Sequence, residues 1–173
     1  MNKILINITF LLLPFLGISQ EKNIFDIARK GTLHEIENAY KKNPELINSV
    51  DERKSSPLIL ASYRGNTEVA LFLADKVKDV NYNSGMGTAL MAAVMADNIA
   101  IIEKLIAVKA DLNKTDASGK TALIHATFFS KTPIVKMLLK AGADKTIKDA
   151  DGRIAIDYAN FNKNTELVIL LDQ

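Results

Sequence analysis

Asp116-Ala117-Ser118-Gly119-Lys120-Thr121-Ala122-Leu123-Ile124-His125-Ala126, followed by Ile134-Val135-Lys136-Met137-Leu138-Leu139-Lys140-Ala141-Gly142-Ala143-Asp144, is the stretch that decides the fold of this chain. A turn rich in Asp, Ser and Gly leads into one apolar run, and a second apolar run ends on glycine. Degraded copies of this unit recur along nearly the whole chain at a spacing of about 33 residues. Ser56-Pro57-Leu58, Thr88-Ala89-Leu90, Thr121-Ala122-Leu123 and Ile154-Ala155-Ile156 share one phase, their starts separated by 32, 33 and 33 positions. Asp79-Val80-Asn81, Asp111-Leu112-Asn113 and Asp144-Lys145-Thr146 close three successive copies. Upstream, Ile27-Ala28-Arg29-Lys30-Gly31 through Ile47-Asn48 reads as a weaker first copy. A period of this length predicts a stacked solenoid, whose usual product is an extended binding surface.

Within a unit the spacing predicts two helices. Leu58, Ala61 and Ser62 stand at i, i+3 and i+4, which places small and apolar residues on one face of an inner helix. Gly65-Asn66 is expected to break that helix and cap the next, with Glu68 in its first turn where negative charge is favoured. Val69, Leu71, Phe72 and Leu73 then form an outer helix. In the fourth unit Thr132-Pro133 starts the outer helix and Gly142 ends it. Asp116 to Gly119 and Asp149 to Gly152 are turn sequences for the tips of hairpin-like fingers. The third unit is one residue short around Asn81 to Gly87, where Gly85 and Gly87 accommodate the tighter turn. Asn43-Pro44-Glu45 replaces a glycine stop in the first copy, and the two ends read as caps.

The Thr-Ala-Leu and Ser-Pro-Leu openings and the Gly-Ala-Asp close resemble the ankyrin repeat, with its T-P-L-H-x-A opening and G-A-D-x-N close. The resemblance covers residues 22 to 173. It implies an all-α solenoid of about five helix–turn–helix units with finger turns, at approximately 22–50, 51–82, 83–115, 116–148 and 149–173. Ile59, Met91, Ile124 and Asp157 replace the histidine of the opening tetrapeptide, so the hydrogen bonds that it makes between repeats are expected to be missing.

Charged residues make up 24% of the chain and the net charge is +2, with lysines in every unit. No strong field therefore favours nucleic acid or an acidic membrane. The absence of cysteine excludes disulfides, thiolate metal sites and cysteine nucleophiles. Asp79 to Gly85 begins like a calcium loop, but Ser84 and Leu90 occupy the positions where glycine and a bidentate glutamate are needed. Gly85-Met86-Gly87 lacks the third glycine of a phosphate-binding pattern. His34, expected to be exposed on the first outer helix, and His125, expected to be packed or hydrogen-bonded, lie in different units, and the carboxylates are dispersed. We expect no catalytic residue, no cofactor and no metal site, hence no enzyme.

The N-terminus reads as a secretory leader over residues 1–19, ahead of a single repeat domain over 20–173. Lys3 precedes an apolar stretch from Ile4 to Leu16 that is interrupted by Asn7, Thr9 and Pro14, and Gly17-Ile18-Ser19 offers small residues for cleavage. The stretch is shorter than the roughly 20 residues that span a bilayer. The expectation is a cleaved leader on an exported bacterial protein, periplasmic or secreted and monomeric, with no stable membrane insertion. An uncleaved anchor is the alternative.

One constellation points to function. Tyr63, Met95, Phe128 and Phe161 share one phase late on the inner helices, followed by Arg64, Ala96, Phe129 and Asn162. The resemblance implies that this phase faces a concave groove where ligand contacts concentrate, together with the fingers. Aromatic residues and methionine are enriched in interface cores and among hot spots. The alternative is that the four side chains stack on one another to cover the inner helices. Arg29 and Lys30 extend the row with positive charge. Arg53, Met86, Lys120 and Arg153, with Glu52, Lys54, Ser84 and Asp151, form a finger rim. The reading is a non-catalytic module that binds another protein on its groove and finger tips, without nucleic acid. The alternative is a dedicated regulator, accessory or immunity protein of one exported enzyme or effector, which the neighbouring gene would reveal.

Overall fold

The computed structural model describes residues 22–173; the expected leader lies outside the described residues. Helices α1 (Ile24–Lys30) and α2 (Leu33–Lys42) are followed by a short 3-10 helix, Pro44–Asn48. Four further pairs follow: α3 (Pro57–Arg64) with α4 (Thr67–Lys76), α5 (Ala89–Met95) with α6 (Ile99–Ala107), α7 (Ala122–Phe128) with α8 (Thr132–Lys140), and α9 (Ala155–Phe161) with α10 (Thr165–Asp172). Among the described residues there is no strand. Each odd-numbered helix packs on the next odd one, forming an inner row, while the even helices lie behind it. This is the all-α solenoid that the period predicts.

Two columns of side chains hold the stack together. Ala28, Ala61, Ala93, Ala126 and Ala159, one per inner helix in a single phase, are all 0% exposed. A residue this small lets neighbouring inner helices approach closely. Ile36, Val69, Ile101, Ile134 and Leu167 form the equivalent aliphatic column under the outer helices, and all are buried. Leu58, Leu90 and Leu123 are buried too, whereas Ile156 in the same phase is only half-buried.

Hydroxyl caps open the inner helices. The side-chain oxygens of Ser56, Thr88 and Thr121 accept from the backbone N–H groups of Ile59, Met91 and Ile124 at 3.3, 3.4 and 3.2 Å. Ile154 has no oxygen to offer, and Asp157 instead accepts from the Ile154 N–H at 2.9 Å.

Asn66 corrects one expectation. It stands before α4 but makes no side-chain cap. Its amide donates instead to the previous unit, to the carbonyls of Gly31 at 2.9 Å and Ala28 at 3.2 Å. Asn98, its counterpart in the next unit, does both: it caps Ile101 N–H at 3.1 Å and donates to Thr67 Oγ1 at 2.8 Å. Asparagines also link the unit closes. Asn48, Asn81 and Asn113 accept from the N–H groups of Lys78, Asp111 and Asp144 at 2.9, 2.7 and 2.9 Å. In place of a histidine network, asparagine amides tie one unit to the next.

The finger turns are linked through their tips. Ala117 N–H donates to Gly85 O at 2.8 Å, and Ala150 N–H donates to Ser118 O at 2.9 Å. Gly119 is needed at this second contact: its φ is +75°, and a Cβ there would come within 2.7 Å of Ala150 N. In the short third finger Gly85 and Gly87 take φ values of +88° and +125°, as the tighter turn requires.

Candidate functional site

Tyr63, Met95, Phe128 and Phe161 lie in the last turn of α3, α5, α7 and α9. They are 52%, 42%, 42% and 79% exposed, well above the core residues of the same helices. Phe128 meets Phe129 and Tyr158 edge-on, at ring separations of 5.0 and 5.7 Å. No ring pair joins any of Tyr63, Phe128 and Phe161 among the described residues, so these three rings do not stack on one another. The Arg64 guanidinium stands 5.9 Å from the centre of the Tyr63 ring.

The finger bases share a device that the sequence did not suggest. One oxygen of Asp51, Asp116 and Asp149 closes the finger turn by accepting from the backbone N–H groups two and four residues ahead, at 2.8 to 3.0 Å. The other oxygen is taken up by an inner-helix side chain. Asp51 receives Arg29 Nη2 at 2.8 Å, Asp116 faces His125 Nε2 at 2.8 Å, and Asp149 accepts the Tyr158 hydroxyl. A carboxylate only accepts, so the His125 proton sits on Nε2. In the short finger Asn83 substitutes, accepting from Gly85 N–H at 2.9 Å and donating to Thr115 O at 2.7 Å.

Burial pushes the Asp149 carboxyl up, but hydrogen bonds from Tyr158 and from the N–H groups of Arg153 and Asp151, with Lys120 nearby, hold it below the usual carboxylate range. Burial, and then the bond to Asp149, push the Tyr158 phenol above its usual range. Arg29 therefore does not extend the exposed row with free charge as expected. It is spent on Asp51 and, at 3.6 Å, on Asp26. The nine-residue spacing of Asp116–His125 and Asp149–Tyr158 was the available signal for this device, but it is absent at Asp51, where the ninth residue is Leu60.

Among the described residues, two depressions lie against the inner helices. The larger, about 940 Å³, has Tyr63, Met95 and Ala92 along its length, with Arg53, Arg64 and Met86 among its walls. Phe25 and Leu60 also line it. The smaller, about 440 Å³, is lined by Phe128, Phe161, Tyr158, Arg153 and Asp157. Lys120 stands 5.8 Å from the Phe128 ring and 5.7 Å from the Tyr158 ring, and Arg153 is 5.9 Å from the latter. The ten expected contact residues thus fall into two groups. Arg53, Tyr63, Arg64, Met86 and Met95 meet in the first depression. Phe128, Phe161 and Arg153 meet in the second, with Lys120 and Phe129 against Phe128.

The inner helices present Tyr63, Met95, Phe128 and Phe161 on this surface, with Arg53, Arg64, Lys120 and Arg153 beside them. Of the two histidines, exposed His34 is within 2.9 Å of the Asn38 amide, and His125 is spent on Asp116. Among the described residues no three His, Asp or Glu side chains are grouped to hold a metal ion. No helix among them is long and apolar enough to cross a membrane.

The family model described as ankyrin repeats (3 copies) matches residues 24–116 and 90–172. No curated protein matches the chain.

Proposed function

The chain belongs to the ankyrin-repeat family, whose repeats are generally protein–protein interaction modules, and on that premise we propose that it binds a partner protein along its concave face. The observation that carries this reading is the row of Tyr63, Met95, Phe128 and Phe161, large apolar side chains left exposed at one phase of four successive inner helices. Exposed apolar surface in a contiguous, polar-rimmed strip marks an interaction site. Aromatic and methionine anchors are the side chains that such interfaces bury at their centre. The chain acts in this reading as a binding partner and not as a catalyst. The leader-like residues 1–19 support a place of action in the periplasm or outside the cell.

The test is capture from native envelope extract by the full chain, beside a variant carrying Tyr63→Ser, Met95→Ser, Phe128→Ser and Phe161→Ser. Circular dichroism first establishes that both fold. A protein retained by the parent and lost from the variant supports the reading. Equal retention on both moves the site away from the groove.

A further inference from the structure

The third unit concentrates the sulfur of this chain. Four of the five methionines lie among the described residues, and three of those, Met86, Met91 and Met95, belong to this unit. Cysteine is absent, so no thiol competes with the thioethers for an oxidant, and tryptophan is absent too. The three sulfurs differ sharply in access. Met86 stands on the short finger and is 82% exposed, the most exposed large apolar side chain among the described residues. At the same place, two before the helix openings at Ser56, Thr121 and Ile154, the other units carry Lys54, Gly119 and Gly152. Met95 ends α5 and is 42% exposed, whereas Met91 on the same helix is 2% exposed. Met91 Sδ lies against Gly87, 2.7 Å from where a Cβ on that glycine would stand, so the finger covers it. Met86 and Met95 line the depression of about 940 Å³ together with Tyr63. Met137 is half-buried on α8, in the outer row.

We propose that Met86 and Met95 form an oxidant-responsive site: a peroxide converts both thioethers to sulfoxides, and the groove then loses its hold on the partner. The inference rests on the proposed function and adds a control on it. The sulfur lone pair attacks one oxygen of hydrogen peroxide. A sulfur–oxygen bond forms, the O–O bond breaks, the proton on the transferred oxygen passes to the departing one, and water leaves. Sulfur is oxidised by two electrons and the peroxide is reduced by two. The product carries a polar oxygen where the groove offered a polarizable apolar side chain. A partner that buries this side chain must then strip that oxygen of water. Met86 and Met95 project from the surface, so the fold survives the change. Methionine sulfoxide reductases reverse it, one enzyme for each sulfoxide epimer.

The test applies hydrogen peroxide to the full chain in steps and removes it with catalase, and peptide masses then give the oxidation of each methionine. Met86 is expected to oxidise first and Met95 next, with Met91 about tenfold or more slower than Met86. Untreated and oxidised chain are immobilised, and the envelope protein retained by each is measured. Oxidation is expected to lower retention about fivefold or more, with the circular dichroism unchanged. Treatment with both reductases is expected to restore it. Met86→Leu/Met95→Leu, compared with its own untreated sample, is expected to show no fall. Met137→Leu is expected to show the same fall as the parent.

Retention unchanged when Met86 and Met95 are oxidised overturns the inference and leaves the groove reading standing. So does a fall that both reductases fail to reverse, a fall in the leucine pair equal to the parent's, or Met91 oxidising as fast as Met86. Loss of helical signal on oxidation overturns it as well, since the effect is then damage to the fold. Where the leucine pair retains nothing even untreated, recovery of the parent with the reductases decides. No retention by the untreated parent, or equal retention by the four-serine variant, ends the groove reading and this inference together.

Discussion

Tyr158 donates its phenol hydrogen to Asp149, nine residues earlier, just as His125 Nε2 faces Asp116 one unit before. In each case a finger carboxylate is shared between the turn it closes and the helix that follows. The finger is thereby locked to the inner helix, and the second depression takes its wall from a buried tyrosine.

Tyr158→Phe removes the donor but keeps the ring, leaving Asp149 one hydrogen bond short. The expected cost at neutral pH is about 1–2 kcal/mol. The sign of the pH dependence follows from a folded-state pKa held below the ordinary carboxylate value. That stabilisation is present above about pH 4 and is lost as pH falls through the folded value. The gap between parent and Tyr158→Phe should therefore narrow on acidification. Urea unfolding at neutral pH and near pH 3 measures it, and an unchanged gap would argue against the assignment.

The turn from inner to outer helix calls for a left-handed residue in every unit from the second on. Gly65 takes φ +66° there, but Asp97, Ser130 and Lys163 take +58°, +53° and +54° at equivalent positions. A non-glycine residue in this region costs about 1–2 kcal/mol, partly offset by the chain entropy that glycine loses. Lys163→Gly is expected to raise stability by about 0.5–1 kcal/mol, and Gly65→Ala to lower it by about 1 kcal/mol. Thermal unfolding of the pair checks this; a stabilised Gly65→Ala would contradict the strain argument.

Ser62 is 0% exposed, and its hydroxyl has no hydrogen-bond partner among the described residues. Thr127, in the same phase two units on, satisfies its hydroxyl on the Leu123 carbonyl at 2.9 Å. A buried unpartnered polar atom carries its full desolvation cost, and alanine is the better helix former. Ser62→Ala is expected to stabilise the chain by about 1 kcal/mol, whereas Thr127→Ala should not. Denaturant midpoints for the two variants decide it, and a destabilised Ser62→Ala would show that the hydroxyl is engaged.

The sequence by itself determined the period, the helix pairs, the finger turns and the phase of the exposed row. These are local facts. Hydroxyls at Ser56, Thr88 and Thr121 cap their own helices, glycines at Gly85 and Gly87 answer their own turn, and a repeat of about 33 residues carries the pattern across the stack. Whatever depends on a neighbouring unit was decided by tertiary structure. Asn66 reads as a cap, but its amide is taken by carbonyls of the preceding unit. Arg29 reads as free charge, but stacking brings it to Asp51, 22 residues away. The meeting of Lys120 with the Phe128 and Tyr158 rings has the same origin. A hydrogen bond or ion pair goes to whichever group lies within about 3 Å, and only the stacked units set which groups those are.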